Sequence, residues 1–199
     1  MAKLTWKPGT LLAPVPPALV TSGTADGPNV FTAAWTGIVC SDPPMTYVSV
    51  RPARFSYELI RASGEFVINL PTRELAKAAD LCGVKSGRDT DKFAAAGLTA
   101  EPSAKVAPPS IAECPVSLEC RVKEVLPLGS HDMFLAEIVS VSVDDRFLDE
   151  KGALHLEKCG LLAYAHGTYF ALGKQLGTFG FSVRKKPLRR TNPRKSGKK

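Results

Sequence analysis

Between residues 18 and 70 the hydrophobic positions fall in short β-branched runs broken by glycine and proline, which is the rhythm of strands. Residues 18–22, ALVTS, predict a first strand, GTADGPN supplies turn residues, and 30–40, VFTAAWTGIVC, predict the returning strand of a hairpin. The prolines of DPP stop that ladder because neither can donate a backbone hydrogen bond. MTYVSV, rich in β-branched and aromatic residues, then resumes as a strand. In RFSYELIRASG, Phe55 and Leu59 stand one helical turn apart and Gly64 closes the run, predicting a short helix.

Farther along, EFVINL is an apolar run bounded by Gly64 and Pro71 and predicts a buried strand. Thr72 is placed to cap RELAKAADLCG, whose Leu75, Ala78, Ala79 and Cys82 share one helical face ahead of a glycine. VKSGRDT predicts a loop, and DKFAAAG a brief helix capped by Asp89 or Thr90. Prolines and small residues over 100–115 predict an irregular connection. VSLECRVKEV, 116–125, alternates cleanly, with Val116, Leu118, Cys120 and Val122 on one side and Ser117, Glu119, Arg121 and Lys123 on a side expected to be wet. The turn LPLGSHD leads into MFLAEIVSVSV, apolar on both sides and so expected at the centre of a sheet. Residues 160–182 hold aromatics and glycines without a period that assigns an element.

Many hairpin-linked strands with two or three short helices inserted, and no alternating strand-helix repeat, argue against a doubly wound nucleotide fold. No GxGxxG follows the first strand and no GxxxxGK[ST] occurs. A mainly β chain of this kind is expected to dispose of its edges in a closed or nearly closed antiparallel barrel.

Charge changes the picture less than the total implies. The net charge of +7 is concentrated in RKKPLRRTNPRKSGKK, 184–199, which holds nine Lys or Arg and no acid, and the remaining chain has 17 basic and 19 acidic residues. We therefore expect one domain over 1–183 and a basic disordered tail over 184–199, with nucleic acid an unlikely partner except through that tail. Five scattered cysteines without a CxxC pair or a histidine at ligand spacing predict reduced thiols and no metal site. LLAPVPPALV is apolar but broken by three prolines, so neither a signal peptide nor a membrane span is expected, and a cytoplasmic protein is.

Candidate chemistry gathers where the third strand ends. Arg51, Arg54 and Ser56 precede a helix, a favoured place for a phosphate monoester, although surface arginines with a capping serine would give the same pattern. NVFTAAW offers extended backbone with small side chains at Ala33 and Ala34 beside Thr32 and Trp35, against which a flat ring could lie, while Trp35 is equally a core residue. His131, in the turn GSHD beside a central strand, is the histidine placed to face a ligand, and His155 is read as part of a surface strand without a role. Consecutive Ser, His and Asp cannot converge on a nucleophile, and no GxSxG elbow exists.

Taken in order, NVFTAAWTGIVCSDPPMTYVSVRPARFSYELI, EFVINLP, CGVKSGRDTDKF, ECPVSLEC and GSHDMFLAEIVSV make residues 10–183 resemble the flavin reductase-like FMN-binding split-barrel family, flavoredoxin branch. The resemblance implies a mainly β fold, a six-stranded Greek-key split barrel with inserted helices, and a homodimer with FMN near its interface. It implies that Arg54, Ser56 and Arg51 meet the FMN phosphate, that Thr32, Ala33, Ala34, Trp35, Ser49 and Val50 line the isoalloxazine, and that Ser86, Asp91 and Lys92 form a lid. It also places His131 on the nicotinamide side and Tyr164 or Tyr169 in the substrate pocket. The expected activity is transfer of reducing equivalents from NAD(P)H to flavin. The alternatives are a flavoredoxin-type electron carrier served by protein partners, and a non-enzymatic module that binds through the basic tail.

Overall fold

A computed structural model describes residues 1–184 of the chain. Strand β1 (Ala18–Thr24) turns back into β2 (Gly27–Ala33), pairing Ala18 with Ala33 and Thr24 with Gly27. Past Ala34 and Trp35 the same run continues as β3 (Thr36–Ser41), which turns at Asp42 and Pro43 into β4 (Pro44–Val50). Helix α1 (Phe55–Ser63), β5 (Glu65–Asn69), α2 (Ala76–Val84) and α3 (Lys92–Ala96) follow. The short strands β6 (Ala100–Glu101) and β7 (Ser110–Ile111) come next, then the long pair β8 (Val116–Pro127) and β9 (Asp132–Val143), and last the hairpin β10 (Leu162–Ala165) and β11 (Thr168–Ala171).

The main sheet is antiparallel throughout, in the order β2-β1-β5-β8-β9-β4-β3. Its two edge strands are halves of one run, since residues 27–41 pair with β1 first and with β4 afterwards. Across that joint Ser49 N donates to Trp35 O at 2.9 Å. The ring is thereby closed through the chain itself, and counting β2 and β3 as one wall gives the expected six-stranded barrel. Closure matters because it leaves no long unpaired edge to recruit another chain.

Alternation along β1 divides the core in two. Ala18 and Val20 point inward with Phe31, Val48, Val50, Phe66, Ile68, Cys120 and Phe134, while Leu19 points outward to Val30, Ala79, Cys82, Phe93 and Ile111 beneath α2 and α3. Tyr57 and Ile60 of α1 join the inner cluster, and Tyr57 meets Phe134 edge-on at 5.3 Å. Each fully buried large apolar side chain contributes roughly 1.5–3 kcal/mol. The site's floor is thus a packed wall and not a loop.

Several local expectations are corrected. The polar side of β8 is wet only at Arg121 and Lys123: Ser117 and Glu119 are buried, because the segment before β8 lies over them. Glu119 accepts from Ala104 N at 2.9 Å and Lys105 N at 2.6 Å, and Asn69 Oδ1 accepts from Ile111 N and Ser117 Oγ. Irregular backbone has no ladder to satisfy its N–H groups, so side chains supply the acceptors. Asp91, and not Asp89 or Thr90, caps α3, accepting from Ala94 N at 3.1 Å. A 3-10 turn over Arg73–Leu75 leads into α2, without a side-chain bond from Thr72. The helix passes through Gly83, whose lack of a side chain admits Thr32 of β2: a β-carbon there would stand 3.4 Å from Thr32 Cβ. His155 precedes a 3-10 turn (Leu156–Lys158) and is not in a strand. Apart from Arg184, the basic tail lies outside the described residues, and among those residues no helix is long and apolar enough to cross a membrane.

Candidate functional site

A cleft of about 450 Å³ opens beside the joint of β2 and β3, within the roughly 300–1,000 Å³ usual for small-molecule sites. The joint contributes Phe31, Thr32, Ala33, Ala34 and Trp35, the end of β4 contributes Ser49 and Val50, and the corner into α1 contributes Arg51 and Arg54. His131 comes from the turn before β9 and Tyr164 from β10. Thus every residue read from the sequence as lining a ring reaches one cavity, together with both arginines. Phe31 was missed because its position in a hydrophobic strand marks it only as core.

Chain direction explains the cationic end. Pro52 follows Arg51, and Arg54 N donates to Arg51 O at 2.9 Å, so the strand folds back within one turn and α1 starts at Phe55. No side chain caps α1, which leaves its leading amide donors available to an anion. Among the described residues neither Arg51 nor Arg54 holds an ion pair, and neither does Lys92. Lys92 is buried, and burial above all, reinforced by the charge of Arg54 and opposed by Cys82, lowers its ammonium to about 8. Arg51 and Arg54 line a cleft with no Asp or Glu in its wall, a donor set that suits a phosphate, whereas Lys92 lines a neighbouring groove with Asp26, Asp89 and Asp91.

The remaining predicted residues stand behind this corner. Ser56 is buried in the first turn of α1, where its hydroxyl accepts from Asn29 Nδ2 at 2.7 Å. Ser86 Oγ accepts from Arg88 N at 3.2 Å, and Asp91 is spent on its helix cap. The loop carrying Ser86 is fastened to the corner: Arg88 donates to Ala53 O at 3.1 Å and lies over the Phe55 ring at 5.6 Å. Gly87 allows that approach, because a β-carbon would collide with Asn29 Oδ1 and lie 2.8 Å from Phe55 Cδ1. Asn29, Gly87 and Arg88 therefore shape the site without having been chosen from the sequence. Only the glycine between polar neighbours hinted at a close contact.

His131 stands beside Arg51, because Val50 pairs with Asp132 across β4 and β9; burial and then the charge of Arg51 lower the His131 pKa, and Ser130 Oγ bonds its Nδ1 at 2.9 Å. The imidazole is thereby oriented, and both burial and Arg51 favour its neutral form. Tyr57 donates to Asp132 Oδ2 at 2.6 Å, tying α1 to the start of β9 and so holding the arginine corner and the His131 turn together. Tyr169 lines a separate groove behind Tyr164, the two rings packing edge-on at 5.1 Å.

A closed antiparallel barrel with a flat-walled cleft and uncompensated cations at one end suits a planar ligand that carries an anionic tail. Residues 11–173 match the family described as "Flavin reductase like domain", and the chain belongs to the flavin reductase-like family. Its fold superposes on the flavoredoxin of Desulfovibrio vulgaris (Miyazaki F) with a TM-score of 0.84 and 34% identity, covering 92% of this chain and 100% of that one. Flavoredoxin from Methanosarcina acetivorans gives 0.84 at 26% identity, with 92% and 100% covered. Over 135 residues the sequence is 28% identical to the FMN reductase (NADH) RutF of Cronobacter sakazakii, spanning 64% of this chain and 76% of the relative.

Proposed function

We propose that the cleft binds FMN and that the protein passes reducing equivalents from NAD(P)H to that flavin. The observation that carries this reading is the pair of unpaired arginines beside the uncapped start of α1, at one end of a cleft walled by Thr32–Trp35. Arg51, Arg54 and the α1 amides would hold the phosphate, with Lys92 adding positive charge from behind. Ala33 and Ala34 let a ring approach the backbone, and Ser49 and Val50 floor it. FMN, when bound, supplies the hydride and electron chemistry. The protein's part is to orient, to desolvate and to place donors, which is why no nucleophile or carboxylate pair is needed.

His131 fits the nicotinamide side because a neutral imidazole can donate one hydrogen bond without repelling the positive charge that grows on a nicotinamide as its hydride leaves. Tyr164 closes the far wall. A homodimer accounts for side chains that the single chain leaves in water, among them Leu4, Leu176 and Phe179, which are 92% or more exposed. Five free cysteines, four of them buried, support a reducing, cytoplasmic setting.

The structural likeness to flavoredoxin favours a second reading, an electron carrier with tightly held FMN and protein partners. Anaerobic addition of NADH, and separately NADPH, to the yellow protein separates the two. Loss of the flavin absorbance with either nucleotide is the expected result. A yellow protein that neither nucleotide bleaches would instead assign the carrier role.

A further inference from the structure

A second groove, of about 300 Å³, adjoins the cleft, and Trp35 and Tyr164 wall both cavities. Its other side is the N-terminal arm with Leu11, Leu12 and Val15. The arm is seated by two backbone hydrogen bonds between Val15 and Tyr164, at 2.9 and 2.8 Å. No Lys, Arg, Asp or Glu lines this groove, so it offers nothing to the phosphates of a dinucleotide and suits a neutral molecule. Flat aromatic walls select a planar one, and the volume limits it to one or two fused rings.

At the rim stands His166, the first residue of the two-residue turn between β10 and β11. Its φ is 47°, and among the described residues it is the one non-glycine residue with a positive φ. With Gly167 at 89° this is the turn geometry in which asparagine before glycine is preferred. A histidine held there keeps an uncommon backbone conformation and lines, with Thr10, a cavity whose other walls are aliphatic and aromatic, and such outliers gather at functional positions.

We propose that this groove binds a small, neutral, planar carbonyl compound of the quinone class, stacked on Trp35 with one carbonyl accepting a hydrogen bond from His166. The binding claim stands on the groove alone, and its place as the electron-acceptor site rests on the proposed function.

The chain has two tryptophans, so Trp6→Phe leaves Trp35 as the only indole reporter. Titrating 1,4-naphthoquinone into FMN-free protein of that background is expected to quench Trp35 emission to a plateau. In His166→Gly the turn takes a preferred glycine pair and loses the side-chain donor, so the unfolding midpoint should stay close to the parent's while quinone affinity falls about tenfold, the weight of one hydrogen bond. Leu12→Asp, which puts a charge in the apolar wall, should weaken binding as well. Quenching that stays linear without a plateau overturns the proposal. So does an affinity unchanged in His166→Gly, or binding that emerges only when a dimer is diluted apart, which would mean that a second copy fills the groove. FMN binding, followed on the same protein by flavin absorbance, fails or succeeds independently of the quinone plateau, so the two readings are separable.

Discussion

Replacing Arg51 and Arg54 together by alanine is expected to weaken FMN binding by about 3–5 kcal/mol, two to four orders of magnitude in Kd. Arg54→Ala alone should cost about 1.5–3 kcal/mol, the range of one charge-assisted hydrogen bond. Both guanidiniums line the cleft, and among the described residues neither holds an ion pair, so their positive charge is unspent within the fold. Stability should accordingly stay within about 0.5 kcal/mol of the parent, as for surface substitutions in general. Titration by quenching of flavin fluorescence measures the affinity, and urea unfolding the stability. A double variant that binds FMN within threefold of the parent would remove both arginines from the phosphate site.

Glu119→Ala is the second large effect, and it acts on the scaffold. Glu119 is fully buried and its two carboxylate oxygens take the amides of Ala104 and Lys105. Alanine would strand both donors and open a void beneath the connection, a loss of about 2–4 kcal/mol in unfolding free energy. Glu119→Gln keeps the volume and one acceptor, so it should lie between alanine and the parent. An alanine variant within about 0.5 kcal/mol of the parent would show that the connection is held by other contacts.

Glu119 also shows where a one-dimensional reading stops. Alternation correctly placed Cys120 inside the barrel and Glu119 outside, but outside is wet only if nothing lies over it, and the irregular 103–111 segment does. That cover is stitched by long-range bonds, such as Thr21 Oγ1 to Pro109 O, which leave no local period to detect. In contrast, the strands, α1 with its Gly64 terminus, and the crowding of Arg51 and Arg54 at the turn are set by neighbours in sequence, and the pattern displayed them.

The same distinction runs through the site. Thr32–Trp35, Ser49, Val50, His131 and Tyr164 come from four separate segments, and their meeting in one cleft follows from barrel closure at the joint of β2 and β3. Ser56 and Asp91 also have partners within the fold: Ser56 Oγ accepts from Asn29 Nδ2 and keeps its O–H to donate, and Asp91 Oδ1 accepts from the amide of Ala94. Polar residues near a helix start serve caps and ligands alike, and only the third dimension shows which. Arg88 was equally visible as a cation, but its bond to Ala53 O makes it a fastener of the loop.

The cleft is built to capture a flavin by its phosphate, and riboflavin differs from FMN by that group alone. Side-by-side titration of the flavin-free protein with both ligands is therefore the most direct measurement. Binding of FMN at least about 100-fold tighter than riboflavin, with the gap collapsing when Arg51 and Arg54 are alanine, is the predicted result. Equal affinity for the two flavins, or no binding of either, would contradict it.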